Sequence, residues 1–182
     1  MSEGYGKFRT LVESSNDSIF IMQNGALQQS GVPLDVYKQP ANRFVAGFIG
    51  SPAMNFMEAT LAAEQGAYFV RAEHFNVRLP EAFHDAVAAY AGQPVIFGVR
   101  PEDMEEFVDE AGAGGDDCLA ARVEVVETLG AETFIHLTCG NQALVARVAV
   151  PDHPLTVGQM MQVRLKMEKI HLFDHETSRT IV

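Results

Sequence analysis

The 182-residue chain is long enough for one domain or two small ones, and 47% hydrophobic against 20% charged residues describes a chain that folds. Thirteen Lys and Arg against 24 Asp and Glu leave a net charge of −11, and no basic run exists to track phosphates, so nucleic acid is excluded as a partner. Uncharged stretches such as Phe44–Met57 fall short of the ~20 apolar residues that a membrane-crossing helix needs.

The first predicted element is a hairpin. Ile19–Met22 is β-prone, Asn24-Gly25 is a strong tight-turn signal, and Ala26–Gln29 returns. Ser30–Pro33 breaks the strand, Leu34, Val36 and Tyr37 follow helical spacing up to Pro40, and Ala41–Ile49 reads as a second short helix ended by Gly50. From Met57 onward the texture is that of strands. Phe75, Val77 and Leu79 alternate with polar residues; Glu81–Tyr90 reads as a short helix; Val95–Val99 is a short apolar strand closed by Arg100-Pro101. Glu102–Glu110 is acidic and Ala111–Asp117 is rich in Gly and Asp, which predicts a solvated loop. Strand signals return at Ala121–Glu127, Thr133–Thr138 and Ala143–Val148, and again where Met161, Val163, Leu165 and Met167 alternate with polar residues. Many short strands broken by Gly and Pro predict a mainly β fold, a small barrel or sandwich, with short helices near the N-terminus.

Self-sufficient chemistry is missing from this pattern. Gly112–Gly115 is followed by Asp116-Asp117, which repels phosphate where a P-loop places Gly-Lys-Ser/Thr. His171 and His175 lie four apart, yet Ile170–Phe173 reads as extended and Asp174–Thr177 as a turn, so a helical ligand pair is not formed. Ser51 precedes Pro52, which does not fit a nucleophile elbow. Cys118 and Cys139 lack CxxC spacing and read as two reduced, partly buried thiols. The polar opening Met1–Gly6 is no signal peptide, and the expected compartment is the cytoplasm.

Several segments taken in order resemble a known family. Asn24–Tyr37 resembles the closing segment of the nucleotide-binding domain in sugar-importing ABC ATPases. Pro40–Phe56 is similar to the junction into the C-terminal regulatory domain of the maltose and glycerol-phosphate importers' ATPases. Gly98–Glu102, Val125–Thr133 and His171–Asp174 then follow in the family's order. The resemblance implies an OB-like barrel of the transport-associated (TOBE) type, carried in pairs on a dimeric ATPase. Residues 17–50 are expected to be the end of the ATPase domain and 51–182 the OB-like regulatory domain. Residues 1–16 match nothing in the family and read as a leader, native or added for expression. The family's phosphate loop, signature motif and Walker-B pair would lie upstream, and the switch-loop histidine would fall near Lys7, where no match is found.

The expected function is therefore non-catalytic: a regulatory and dimerisation domain from the ATP-binding subunit of a carbohydrate importer. The chain itself needs no cofactor, whereas the resemblance gives the parent ATP and Mg. Its implied partners are a second copy, the membrane permease subunits of the parent and a regulatory protein, with the parent peripheral to the inner membrane. An oxyanion or small-ligand-binding OB module is the alternative. Arg100, Glu102, His171 and Phe173 are the candidate interface and regulatory residues. A charged His171 would weaken association as pH rises past about 6.5, the ordinary histidine value. Packing of His171 and Phe173 inside a single barrel is the competing expectation.

Overall fold

A computed structural model describes residues 18–107 and 115–182. The expected leader and most of the Gly/Asp-rich segment lie outside the described residues. Strands β1 (Ile19–Gln23) and β2 (Ala26–Gly31) form the predicted antiparallel hairpin. Asn24 and Gly25 adopt φ of 50° and 77°, the left-handed values that a tight primed turn requires. Helix α1 (Pro33–Lys38) has its proline in the first turn, where the missing N–H costs nothing. Helix α2 (Arg43–Phe48) is capped by Asn42, whose side chain accepts the Val45 N–H at 2.9 Å. Ile21, Val36, Val45 and Ile49 bury one face each and form a small cluster of their own.

The strands that follow are β3 (Asn55–Glu64), β4 (Ala67–Ala72), β5 (Phe75–Arg78), β6 (Pro94–Val99), β7 (Met104–Phe107), β8 (Cys118–Leu129), β9 (Glu132–Cys139), β10 (Gln142–Ala149), β11 (Met160–Leu165) and β12 (His171–Asp174). They make two five-stranded antiparallel sheets, in the orders β12-β6-β3-β4-β5 and β10-β9-β8-β11-β7. Inward residues alternate as a half-buried sheet demands: Thr133, Ile135, Leu137 and Cys139 on β9, and Met161, Val163 and Leu165 on β11. One apolar core joins the two sheets, with Leu61, Val70 and Phe97 from the first meeting Leu119, Ile135 and Leu144 from the second. Asn55 adds a polar tie. Its Nδ2 donates to Val145 O at 2.9 Å and its Oδ1 accepts from Val145 N at 2.8 Å, pairing the free side of edge strand β10.

Two sequence expectations are corrected. The helix expected over Glu81–Tyr90 is broken into a 3-10 turn (Glu81–Phe83), one α-helical turn, α3 (His84–Val87), and another 3-10 turn (Ala88–Tyr90). Side-chain caps are absent from all three pieces and only Val87 is buried, too little to hold a continuous helix. The acidic run starting at Glu102 is not a solvated loop over its described part. It forms a 3-10 turn (Pro101–Asp103) and strand β7, which pairs with β11 and points Met104 into the core. Matched partners make this tenable: Asp103 lies 3.3 Å from Lys169, Glu105 2.7 Å from Lys166, and Glu106 is within hydrogen-bond distance of His153 at 3.1 Å.

Candidate functional site

Arg100 sits between the last residue of apolar strand β6 and Pro101, which opens the 3-10 turn. Its residue is only 3% exposed. Nη1 donates to Ile49 O at 2.9 Å and Nη2 donates to Tyr37 O at 2.5 Å. Ile49 caps the C-terminus of α2, and Tyr37 lies in the last turn of α1. A helix end leaves carbonyls without intrahelical partners, and a cation is the favoured group to meet them. The guanidinium also lies over the Tyr37 ring, 3.6 Å from its centroid. Burial lowers the Arg100 pKa to about 10 against the opposing pull of Asp103, so the group stays cationic at neutral pH. Gly50 makes room for this contact. Its φ is +125°, and a β-carbon there would lie 3.2 Å from Nη1.

Glu102 holds the other end of the same tyrosine, accepting a hydrogen bond from the Tyr37 hydroxyl. Its carboxylate is also 3.7 Å from Arg147 on β10, and its backbone oxygen accepts from Lys166 Nζ at 3.3 Å. The side chain of Arg147 is nine-tenths shielded, so this pair is stronger than an open surface pair. A polar path therefore runs from α1 through the Pro101–Asp103 turn to β10. The C-terminal segment adds a second tie to the region around α2: Arg43 N donates to Ser178 O at 2.9 Å, and the Thr180 hydroxyl donates to Pro40 O.

His171 and Phe173 stand on β12, paired with Gly98 and Ile96 of β6. Phe173 is 0% exposed, packed with Ala46, Met54 and Ile96 and set edge-on to Phe56 at 5.7 Å between ring centroids. It occupies a packing position inside the chain, where no face of the ring is open. His171 is buried beside it. Burial, with Arg100 nearby, lowers its pKa to about 4, while a hydrogen bond with the Val182 backbone pulls the other way. The expected charge on His171 up to pH 6.5 is corrected accordingly: the imidazole is neutral throughout the physiological range. The structure thus gathers Arg100, His171 and Phe173 in the interior around the β6–β12 ladder and leaves only Glu102 half-buried. Tyr37, Gly50 and Arg147, which sequence reasoning did not nominate, complete the cluster. Among the described residues no group of three His, Cys, Asp or Glu could hold a metal ion, and no helix is long and apolar enough to cross a membrane.

Comparison with known proteins defines the class. The MalK OB fold domain matches residues 50–104 and the TOBE domain matches residues 97–173. The chain belongs to this OB/TOBE family and is homologous to the C-terminal regulatory domain of ABC ATP-binding subunits of sugar importers. It is 40% identical over 168 residues to the trehalose/maltose import ATP-binding protein MalK of Thermococcus litoralis, covering 91% of this chain and 44% of that one. It is 36% identical over 165 residues to the sn-glycerol-3-phosphate import ATP-binding protein UgpC of Chromobacterium violaceum, covering 91% and 42%. The chain spans less than half the length of either relative. A solved structure of the cytoplasmic molybdate-binding protein ModG, with molybdate bound, superimposes with a TM-score of 0.53 at 17% identity, over 65% of this chain and 94% of that one, a likeness of fold.

Proposed function

We propose that the chain is a non-catalytic regulatory and dimerisation domain of the ATP-binding subunit of a carbohydrate or glycerol-phosphate ABC importer. The observation that carries this reading is the Arg100 clamp. One buried cation fastens the C-terminal ends of α1 and α2 to the sheets, and Glu102 fixes the same tyrosine from the far side. The sequence resemblance assigns residues 17–50 to the end of the ATPase domain. On that assignment a movement of the nucleotide domain reaches the sheets through a short, buried, directional contact rather than through a loose linker. The sheets act as the fixed body against which the ATPase halves open and close, and present a surface for a regulator. The permease subunits belong to the parent assembly, which sits at the cytoplasmic side of the membrane. ATP and Mg are the parent's cofactors.

Equilibrium dialysis of the purified chain against ATP with Mg tests the non-catalytic part. No saturable binding at micromolar nucleotide is expected, because Gly-Lys-Ser/Thr and a Walker-B pair are missing from this sequence. Saturable binding in that range overturns the reading.

A further inference from the structure

A cavity of about 360 Å³ opens where the two sheets meet, away from the Arg100 clamp. It is bounded by β3, the β4–β5 turn, the start of β6, the β9–β10 turn and His175. The volume falls in the lower part of the about 300–1,000 Å³ range of small-molecule sites. Its walls are held by the core. Phe75 packs on Phe97 with ring centroids 5.9 Å apart, and the His74 imidazole lies directly over Gly140. A β-carbon at Gly140 would fall 1.7 Å from that ring, and its φ of +62° also favours glycine. The β9–β10 turn and the β4–β5 turn are thereby locked against each other.

The lining has a definite chemistry. Ala59, Ala72, Phe75 and Pro94 supply an apolar strip, and Glu58, Thr60, Asn141 and Gln142 bring side-chain donors and acceptors. Among the described residues none of those four side chains has a hydrogen-bond or ionic partner within the chain. Charge disfavours an anionic ligand: the carboxylates Glu58 and Glu73 stand in the lining with Arg71, His74 and His175, and of these Arg71 is engaged by Glu64 at 2.9 Å and Asn76 at 3.3 Å while His74 lies 3.6 Å from Glu73. The absence of a three-ligand cluster among the described residues argues against a metal. A carboxylate and two amides beside an apolar strip fit vicinal hydroxyls on one side and a C–H face on the other.

We propose that this cavity binds a small neutral carbohydrate through Glu58, Thr60, Asn141 and Gln142. Its physiological sense, feedback from imported cargo, rests on the regulatory reading above; the binding itself does not.

Isothermal titration calorimetry of the 182-residue chain with glucose, maltose, trehalose and glycerol, and with molybdate as the anion control, tests the proposal. Saturable binding of at least one sugar near or below about 1 mM is expected, with none for molybdate. Combining Glu58→Gln with Asn141→Ala should weaken the sugar at least about tenfold. Amide shift mapping on the unmodified chain keeps the test sound if that variant folds poorly: sugar-induced shifts should centre on Thr60, Asn141 and Gln142. The proposal is overturned by no sugar binding up to about 10 mM, by shifts centred elsewhere, by unchanged affinity in a folded variant, or by molybdate displacing the sugar. Sugar binding alongside saturable ATP binding would overturn the non-catalytic reading alone, and absence of both would overturn this proposal alone.

Discussion

Replacing Arg100 by Ala strips two buried helix-end carbonyls of their donor and uncovers the Tyr37 ring at once. A loss of about 2–4 kcal/mol in urea unfolding is expected, because each buried group left unpaired bears its full desolvation cost. Arg100→Lys should recover only part, since an ammonium cannot present two forked donors while lying flat on a ring. An Arg100→Ala protein as stable as the original would show that the clamp contributes nothing. His171 carries a pH signature of the opposite kind. In the folded chain its pKa is about 4, against about 6.5 when unfolded, so between those values the unfolded state binds the extra proton. Stability must therefore fall as pH drops through that window and level off below it, by about 3 kcal/mol in the limit. His171→Gln should remove this component, and parallel urea titrations from pH 7 to 4 would show it as a shallower slope. At this scale the sequence is only half legible. Arg100 stands out as a lone charge closing an apolar strand, but its partners Tyr37 and Ile49 lie more than fifty positions upstream, and no local spacing points to them.

At the scale of elements, Asn55 decides how the two sheets hold together. Its amide supplies both halves of a backbone-like pair to Val145 on edge strand β10. Asn55→Ala leaves a buried N–H and C=O without partners, and a loss of about 2–3 kcal/mol is expected. Hydrogen exchange should locate the damage: the Val145 amide loses protection first, while Leu137 and Val163 on the inner strands keep theirs. Uniform loss across both sheets would mean that the tie is not local. The hairpin of β1 and β2 was readable because Asn24-Gly25 fixes its turn, and β11 because its alternation is strict. Strand β7 was hidden for a physical reason. Its carboxylates Glu105 and Glu106 find Lys166 and His153, residues far away in sequence, so a charged edge strand looks like a solvated loop. The β3–β4 hairpin was missed as well, because its turn is Gln65-Gly66, a weaker signal, although both residues adopt the left-handed φ that the turn needs, 51° and 81°.

For the whole molecule, the sequence pattern supports a mainly β fold, a small barrel or sandwich, and the chain builds two five-stranded sheets over one core. Only long-range pairing, such as β12 with β6 and β11 with β7, divides the strands in this way, and alternation along a strand carries no information about its neighbour. The same scale decides assembly. Phe173 is enclosed and cannot anchor a partner, so the dimer proposed above requires apolar side chains that remain outside. Phe20, Met22 and Leu27 project from the β1–β2 hairpin and Phe48 from the end of α2, while Val125 on β8, Val157 just before β11 and Met160 at the start of β11 are exposed on the second sheet. The family resemblance gives the hairpin an ATPase domain as its neighbour, which leaves the β8–β11 set for a second copy. Light scattering at tens of micromolar should return twice the chain mass, with an interface of about 1,200–2,000 Å² in total. A lysine in a desolvated apolar contact is strongly disfavoured, so Met160→Lys combined with Val125→Lys should yield a folded monomer, whereas Phe20→Ser combined with Met22→Ser should leave the dimer intact. A monomer mass for the unmodified chain rejects the dimer, and dissociation by the hairpin variant alone moves the contact to the hairpin face.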